Sequence, residues 1–204
     1  LYDQVDCLEV WQGPWFFGNH ESLALWDHLL RQGVRLVAVG GSDRHQPPFD
    51  GQLGIREVGS PTTWVYAREL SAEAILAGIR AGHVTLSADV GGPRLFLEAD
   101  ADGDGRYEVL AGDRLRLAPG SVVRWRCRVE GGAGHLLRVV SPGQEWSTRV
   151  KQEDFAQTWE APVEGDTYYR AELIVPDEAD LALLMRAALC NPIYVSATSD
   201  GDAP

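Results

Sequence analysis

The chain has 204 residues, a formal charge of −12 at neutral pH and an apolar residue content of 45%. This is the composition of a soluble globular protein with room for one large or two ordinary domains. Because acidic residues outnumber basic ones and the basic residues are scattered singly, nucleic-acid and anionic-membrane partners are disfavoured. We therefore expect neutral, cationic or metal-ion partners.

No stretch of the sequence resembles a membrane span or a secretion signal. The apolar runs are well short of the roughly 20 residues that span a bilayer, and the start lacks a charged-then-apolar segment. Cys7, Cys127 and Cys190 are odd in number and far apart, so we expect buried free thiols rather than a disulfide framework or a structural zinc site. The compartment and the oligomeric state stay open.

Strand and helix patterns alternate in the first half of the chain. Each helix pattern begins at a residue that favours the N-cap and ends at a glycine. The alternation predicts βαβ units and a parallel sheet. Because the chain starts with Leu rather than Met and a strand follows almost at once, we expect the natural polypeptide to extend upstream. The predicted strands are Asp6 to Trp11, Val34 to Val39 and Thr62 to Ala67, and the predicted helices are Asn19 to Gly33 and Ser71 to Gly82.

The pattern changes after the turn Gly91-Gly92-Pro93, where we place a boundary between domains 1–90 and 91–204. Short alternating runs separated by Gly, Pro and Asp predict an antiparallel β-sandwich. The stretch Asp177 to Leu189 has helical periodicity, with an irregular crossover as the alternative. The predicted strands are Arg94 to Ala99, Arg114 to Leu117, Val122 to Val129, Leu136 to Val140, Tyr168 to Val175 and Pro192 to Ala197.

Two candidate metal ligands follow directly after the second predicted strand. In an extended segment residues i and i+2 point the same way, so Asp43 and His45 can present a carboxylate and an imidazole to one divalent cation. Ligands at the carboxyl end of a buried strand are typical of α/β hydrolytic sites. The alternative is a plain strand-end turn, for which Ser42 and Asp43 are suitable residues.

A catalytic zinc-type site takes about three protein ligands, so further donors are needed. Glu9 at the end of the first strand is the better additional candidate, and His20 at the first turn of the helix is the other. Each also fits a structural role, His20 at the helix N-terminus. The sequence has no Gly-rich phosphate loop and no Gly-x-Ser-x-Gly elbow, which disfavours covalent catalysis.

A second acidic pattern, Asp100-x-Asp102-x-Asp104-Gly105, is the way a loop wraps oxygen ligands around Ca²⁺. An EF-hand would have Glu at the twelfth position, where this chain has Ala111, although Glu108 or Asp113 could substitute. The alternative is an acidic, solvated hairpin loop. Bound calcium would serve to make the loop rigid.

The segment Gly41-Ser42-Asp43-Arg44-His45 at a strand end resembles the PHP (polymerase and histidinol phosphatase) domain, specifically the CehA/McbA-type metallohydrolases. The Ser-Asp-x-His piece is the specific part, and the likeness spans most of the chain. The supporting segments are Val5 to Trp11, the helix from Trp26 to Gly33, Gly59-Ser60-Pro61-Thr62-Thr63, Leu70-Ser71, Ala81-Gly82-His83-Val84, Gly92-Pro93 and Asn191-Pro192-Ile193-Tyr194-Val195.

The resemblance implies an α/β plus all-β fold, in which a partial PHP-type (β/α) barrel precedes an antiparallel, sandwich-like domain. It also implies hydrolysis of a small-molecule phosphoester or related ester by a cluster of two or three Mn, Zn or Fe ions. Asp43 and His45 would be the last two ligands of that cluster. The family's opening His-x-His pair and its further acidic and histidine ligands have no counterpart here. We therefore expect a C-terminal portion that alone binds metal weakly and is inactive, the full-length parent being the enzyme.

The rival interpretation is a binding or architectural module, in which the β-rich half recognises a ligand or partner and the first half is scaffold. An exposed aromatic strip around Trp125, Trp146 or Trp159 would favour it.

Overall fold

The computed structural model describes residues 2–15, 17–45, 58–176 and 185–198, and these residues are mostly β-strand. None of the helices in these ranges is long and apolar enough to cross a membrane. In chain order the elements are a 3₁₀ turn (Tyr2–Gln4), β1 (Cys7–Gln12), α1 (Phe17–Arg31), β2 (Val37–Gly41), β3 (Thr62–Val65), α2 (Ala72–Ala81), β4 (Val84–Ser87), β5 (Arg94–Asp100), β6 (Val109–Leu110), β7 (Arg114–Leu117), β8 (Val122–Glu130), β9 (Leu136–Ser141), β10 (Gln144–Arg149), β11 (Asp154–Pro162), β12 (Thr167–Ile174), β13 (Arg186–Cys190) and β14 (Ile193–Ala197).

Helix α2 has the ends that the sequence predicts. Ser71 Oγ accepts a hydrogen bond from the Ala74 N–H at 3.1 Å, so Ser71 is the N-cap. Gly82 closes the helix in the left-handed conformation, with φ 80°. Both predicted caps of this helix are confirmed.

Helix α1 begins at Phe17, so the predicted N-cap Asn19 lies inside the helix and that prediction is wrong. The buried Asn19 side chain accepts a hydrogen bond from the Gln12 N–H at 2.8 Å and donates to the carbonyls of Gln12 and Pro14. An amide that bonds to the end of β1 stabilises the approach of helix to strand rather than the helix terminus. The cap pattern alone does not distinguish these uses.

Strands β1 and β2 are parallel and are joined by α1, as the alternation predicts. Strands β3 and β4, which flank α2, are antiparallel, so the predicted parallel sheet is wrong for this unit. One edge of β4 pairs with β3 and the other with β13, from the far end of the chain. A strand, helix, strand pattern predicts the elements but does not identify the partners of each strand edge. Strand β2 also begins later than the predicted start at Val34.

A large sheet of eight strands forms the middle of the described structure. Its hydrogen-bonded order is β10-β9-β12-β13-β4-β3, with β14 attached to β12 and β7 attached to β14. A second sheet of order β11-β8-β5-β6 packs against one face of the large sheet. The pairings within both sheets are antiparallel apart from β14 with β7, which confirms the predicted sandwich-like architecture. The large sheet combines strands from both sides of residue 91.

Two apolar cores lie on opposite faces of the large sheet. The core between the sheets includes Ala171 and Leu173 of β12, whereas Tyr168 of the same strand belongs to the core around α1 and the β1–β2 pair. Alternate residues of a strand face opposite sides of its sheet. Arg170 and Glu172 therefore face α1.

The stretch predicted as a helix contains strand β13, so the prediction is wrong over residues 186–189, and residues 177–184 lie outside the described residues. Every residue of β13 is buried. A strand that is covered on both faces lacks the polar and apolar alternation from which strands are recognised. Without that alternation, the helical spacing of the apolar residues in this stretch was the pattern that decided the prediction.

The three cysteines are free thiols, as predicted. Cys127 and Cys190 are fully buried, and Cys7 is half-buried. Burial raises the pKa of Cys190 to about 12, so this group stays a protonated thiol at neutral pH.

The edge of β2 that faces away from β1 is hydrogen-bonded by side chains instead of by a strand. Asn191 Oδ1 accepts from the Ala38 N–H at 2.8 Å, and Asn191 Nδ2 donates to the carbonyls of Ala38 and Val84 at 3.0 Å each. Thr63 Oγ1 accepts from the Gly40 N–H at 3.0 Å and donates to the Gly40 carbonyl at 2.8 Å. These bonds hold the parallel pair against the large sheet.

A buried ion network, formed by Asp27, Arg138, Arg170, Glu172 and Arg186, joins α1 to the large sheet. Arg170 on β12 donates to both carboxylate oxygens of Asp27 on α1, at 2.7 Å each, and to Glu172 at 3.3 Å. Glu172 also accepts from Arg186 on β13 at 3.1 Å and from Arg138 on β9. Both carboxylates are thus compensated inside the molecule, which burial requires, and Arg138, the third arginine, is partly exposed.

Acid should destabilise the protein through Glu172, whose side chain is fully buried. Burial alone would raise the pKa of this carboxyl, but Arg170, Arg186 and Arg138 together lower it from 4.5 to about 2. A carboxyl with a lower pKa in the folded state stabilises above its unfolded pKa and loses that contribution as the pH falls toward the folded value. We expect the free energy of unfolding, measured by urea denaturation, to fall by at most about 3 kcal/mol over this pH range.

The Glu172→Gln variant removes the titrating group. Its free energy of unfolding should be lower than that of the wild type at neutral pH and should depend less on pH below 4.5. Glu153→Gln, at an exposed carboxylate outside the network, is the matched control and should keep the wild-type profile. Identical pH profiles for Glu172→Gln and the wild type would contradict the assignment.

Loss of the Asn191 side chain should destabilise the junction between β2 and the large sheet. Asn191→Ala leaves the buried N–H and carbonyl of Ala38 without these partners, whereas the Val84 carbonyl keeps its bond from the Asn191 backbone N–H at 3.3 Å. Because each buried unsatisfied group costs about 1–3 kcal/mol, we expect the free energy of unfolding to fall by about 3 kcal/mol or more. Gln32→Ala, which removes an exposed amide, should stay within about 0.5 kcal/mol of the wild type. Similar urea midpoints for both variants would contradict this role.

Candidate functional site

The end of β2 consists of two glycines that other groups approach closely. A Cβ at Gly40 would lie 2.9 Å from Pro61 Cγ, and a Cβ at Gly41 would lie 2.6 Å from Glu9 Oε1. A side chain at either position would therefore displace its neighbour. The glycine pair places the Glu9 carboxylate beside the strand end from which Asp43 follows.

Asp43 and His45 lie close together after β2. Asp43 Oδ1 is 3.4 Å from His45 Nδ1, and the same nitrogen is 2.8 Å from the Asp43 carbonyl oxygen. Asp43 has a φ of 51°, in the left-handed region, so the segment is not extended as the sequence predicts. A turn at Asp43, rather than strand alternation, brings the two side chains together.

The hydrogen bond to the Asp43 carbonyl assigns the N–H of His45 to Nδ1 and leaves the lone pair on Nε2. Metal-binding histidines commonly donate their other ring N–H to a carbonyl or carboxylate in this way. The His45 side chain is 80% exposed, which leaves room around Nε2. The Asp43 carboxylate faces Nδ1, so an ion shared by both side chains requires the imidazole to turn.

The candidate donor Glu9 accepts a hydrogen bond from Gln12 Nε2 at 3.4 Å. Among the described residues, Glu9, Asp43 and His45 do not form a group whose ligand atoms all lie within 4.8 Å of one another. The structure thus brings Asp43 and His45 together and places Glu9 beside the same strand end without completing a three-ligand group.

The other candidate donor, His20, lies in α1 at the interface with the large sheet. Its Nε2 accepts a hydrogen bond from Trp15 Nε1 at 3.0 Å. Burial, followed by the charge of Arg186, lowers the pKa of His20, so the ring is neutral at physiological pH. This hydrogen bond gives His20 a structural role, because Nε2 is already in use.

The Asp43 and His45 side chains suit Mn, Zn or Fe in donor type. They provide two donors, whereas a catalytic site takes about three protein ligands. The described residues therefore fit part of a metal site and do not complete it. No catalytic step through a metal follows from these residues alone.

The acidic loop after β5 is organised around Asp100, whose side chain is fully buried. Asp100 accepts hydrogen bonds from the Gly103 and Gly105 N–H groups at 2.7 and 3.0 Å. Asp100, Asp104 and Glu108 have ligand atoms within 4.8 Å of one another, and Asp102 is not in this group. The predicted trio of Asp100, Asp102 and Asp104 therefore does not assemble, because Asp102 bonds to the Asp104 N–H instead. The hydrogen bonds from the Gly103 and Gly105 N–H groups show that the buried Asp100 carboxylate stabilises a turn of the loop.

Calcium binding by this loop stays a prediction that melting temperatures can test. If the loop binds Ca²⁺, millimolar CaCl₂ should raise the Tm of this chain by about 2–8 °C, since a ligand of the folded state stabilises it. Glu108→Ala should abolish the rise, whereas Asp102→Ala, the matched control outside the acidic group, should keep it. An unchanged wild-type Tm in CaCl₂ would contradict the prediction.

A cavity of about 280 Å³, here called the arginine cavity, lies between β3–β4 and the four-stranded sheet. Its charged groups already have partners within the chain. The Arg94 guanidinium lies 5.2 Å from the Trp64 ring centroid and 5.3 Å from that of Phe96, and Arg128 Nε is 3.2 Å from the Glu98 carboxylate. Asp43 and His45 do not line this cavity.

His83 and Asp113 form a pair at the wall of the arginine cavity. His83 Nε2 is 2.8 Å from Asp113 Oδ1, and Asp113 Oδ2 accepts from the Leu110 N–H at 2.8 Å. Asp113 is therefore not a further ligand of the acidic loop. The pair could not be predicted from the sequence, because the two residues lie far apart along the chain and meet only through tertiary packing.

A second cavity of about 280 Å³, here called the aromatic cleft, opens between the edge strands β10 and β11 of the two sheets. Trp146, Trp159 and Tyr169 line it and are partly exposed. Trp125, which the sequence groups with the first two, is 1% exposed and stacks behind Trp159. Of the three tryptophans around which an exposed strip would favour a binding module, Trp125 is therefore not exposed. Tyr169 of β12 was missed because a tyrosine in a core strand gives no separate signal.

Comparison of the chain with models of protein families finds no family that matches, and comparison with curated proteins finds no match either. The functional argument therefore rests on the residues and their geometry.

Proposed function

We propose that this chain is the C-terminal part of a metal-dependent hydrolase of phosphoesters or related esters, with a PHP-type barrel completed by upstream sequence. The observation that carries the proposal is the position of Asp43 and His45. They are a carboxylate and an imidazole 3.4 Å apart, directly after a strand that is parallel to its neighbour. Loops at the carboxyl ends of parallel strands are where such folds hold catalytic groups.

The roles of the side chains follow from their chemistry. Asp43 and the Nε2 atom of His45 would hold one Mn, Zn or Fe ion, with further ligands from upstream sequence. A bound ion of this kind lowers the pKa of water and neutralises charge that develops on the substrate. In the present ring orientation the Asp43 carbonyl accepts the Nδ1–H of His45, and this bond would break when the imidazole turns toward the shared ion. Glu9 is the described carboxylate beside the strand end and is suited to a further ligand or to orienting water.

Elemental analysis and a hydrolysis assay test the proposal in a protein that includes the natural upstream sequence. With Mn²⁺ or Zn²⁺ and bis(p-nitrophenyl) phosphate as the probe, the longer protein should be metal-loaded and active, and the 204-residue chain should bind metal weakly and be inactive. Asp43→Ala and His45→Ala should each lower the metal content and reduce kcat/KM by about 100-fold or more, because removal of a ligand exceeds the typical effect of losing its supporting residue.

His28→Ala is the matched control, since His28 is an exposed histidine of α1, and it should leave metal content and activity unchanged. A longer protein that is metal-loaded but inactive, or that keeps its activity after Asp43→Ala, would contradict the proposal.

The second candidate function is a binding module formed by the β-sandwich. It is favoured by the aromatic cleft, where partly exposed indole and phenol rings meet between two edge strands. Such rings are the groups that proteins use for small ligands.

A further inference from the structure

The aromatic cleft is built from three strands that bring three rings together. Trp146 on β10 and Trp159 on β11 have ring centroids 5.1 Å apart and an interplanar angle of 78°. Tyr169 on β12 lies 6.1 Å from Trp159, with an interplanar angle of 61°. The rings therefore form the walls of a corner rather than a flat platform.

The polar lining of the cleft is acidic. The lining residues include Glu160 and Glu164 and no Lys, Arg or His. Glu160 is paired with Arg124 at 3.0 Å, whereas Glu164 has no ion pair among the described residues. Glu164 and Tyr169 both line the cleft. Burial, followed by the charge of Glu164, raises the pKa of Tyr169. The cleft therefore attracts positive charge.

The rings of the cleft have no guanidinium over them, whereas six other described rings do. Arg94 covers Trp64 and Arg170 covers Trp26, for example. In the described structure no such cation lies over Trp146, Trp159 or Tyr169. Trp159 stacks on Trp125 with centroids 5.9 Å apart, and Tyr169 lies 4.4 Å from the same ring. A cation from outside can therefore approach only the parts of the rings that face the cleft.

The shape and size of the cleft select among cations. Its volume of about 280 Å³ is at the lower end of the range of small-molecule pockets, about 300–1,000 Å³. A sugar would stack on a flat ring face, whereas inclined rings surround a rounded group. A compact cation that carries apolar methyl groups satisfies both the rings and the carboxylate, and it needs no hydrogen-bond acceptor.

We propose that the aromatic cleft binds a small quaternary-ammonium compound of the choline type, held by Trp146, Trp159 and Tyr169 with Glu164 supplying the negative charge. The inference deepens the binding-module candidate. It does not depend on Asp43, His45 or a metal, because the cleft belongs to strands β9 to β12. Failure of choline binding would therefore leave the hydrolase assay unaffected, and the reverse also holds.

Fluorine NMR of the complete chain labelled with 5-fluorotryptophan tests the proposal. Choline chloride should shift the resonances of Trp146 and Trp159, assigned by single Trp→Phe variants, and should leave that of Trp64 in the arginine cavity unchanged. Sodium chloride at equal ionic strength is the control for salt. The neutral probe 3,3-dimethylbutan-1-ol has the shape of choline without its charge and should bind about tenfold more weakly or worse.

Two variants locate the site. Trp146→Leu removes a ring on an edge strand and should weaken choline binding by about tenfold. Glu164→Gln keeps the shape of an exposed side chain that follows β11, so the fold is retained, and it should weaken binding by about three- to tenfold. Glu153→Gln, at another exposed carboxylate, should bind choline as the wild type does.

Equal binding of choline and the neutral probe would overturn the proposal, because the cleft would then be a plain apolar pocket. It would equally be overturned by the absence of any shift at millimolar choline, by shifts at Trp64 alone, or by binding that Glu164→Gln leaves unchanged. Binding of glucose or a short oligosaccharide in place of choline would identify a sugar site instead.

Discussion

The position of the first helix depends on the buried ion network. Arg170 is bidentate to Asp27 of α1 and shares Glu172 with arginines from the strands on both sides of its own, so helix and sheet cannot separate without leaving charge uncompensated inside the protein. Trp26 lies over the Arg170 guanidinium, which adds an apolar and cation–π contact at the same place. Since α1 connects β1 to β2, the network also determines where the parallel pair lies.

The parallel pair meets the large sheet through side chains. Asn191 and Thr63 bond the edge of β2 with amide and hydroxyl groups, so this edge is satisfied without another strand. The strand end that carries Asp43 and His45 is thereby held against the sandwich. Rigid support under a partly buried carboxylate and an exposed imidazole is an arrangement that suits a ligand-binding loop.

The two cavities use aromatic rings in opposite ways. In the arginine cavity the rings are covered by guanidinium groups of the chain itself, and those groups are paired in turn with carboxylates. In the aromatic cleft the rings meet one another and an acidic residue instead. The charges that line the arginine cavity are thus paired within the chain. The acidic lining of the aromatic cleft is complementary to an external cation.

The sequence by itself determined the elements whose signals are local. The Ser71 and Gly82 caps mark the ends of α2, and the alternation of apolar residues marks most strands of the sandwich. The odd number and wide separation of the cysteines predict free thiols. Only the tertiary structure decided which edges pair, that β13 is a strand, and that the left-handed turn at Asp43 rather than an extended segment brings it to His45. The pairing of His83 with Asp113 and the convergence of Trp146, Trp159 and Tyr169 on one cleft were likewise outside the reach of sequence, whereas Glu108 was a candidate ligand from its position in the acidic loop. The physical reason is that burial on both faces removes the periodicity of a strand, and contacts between distant segments leave no local pattern.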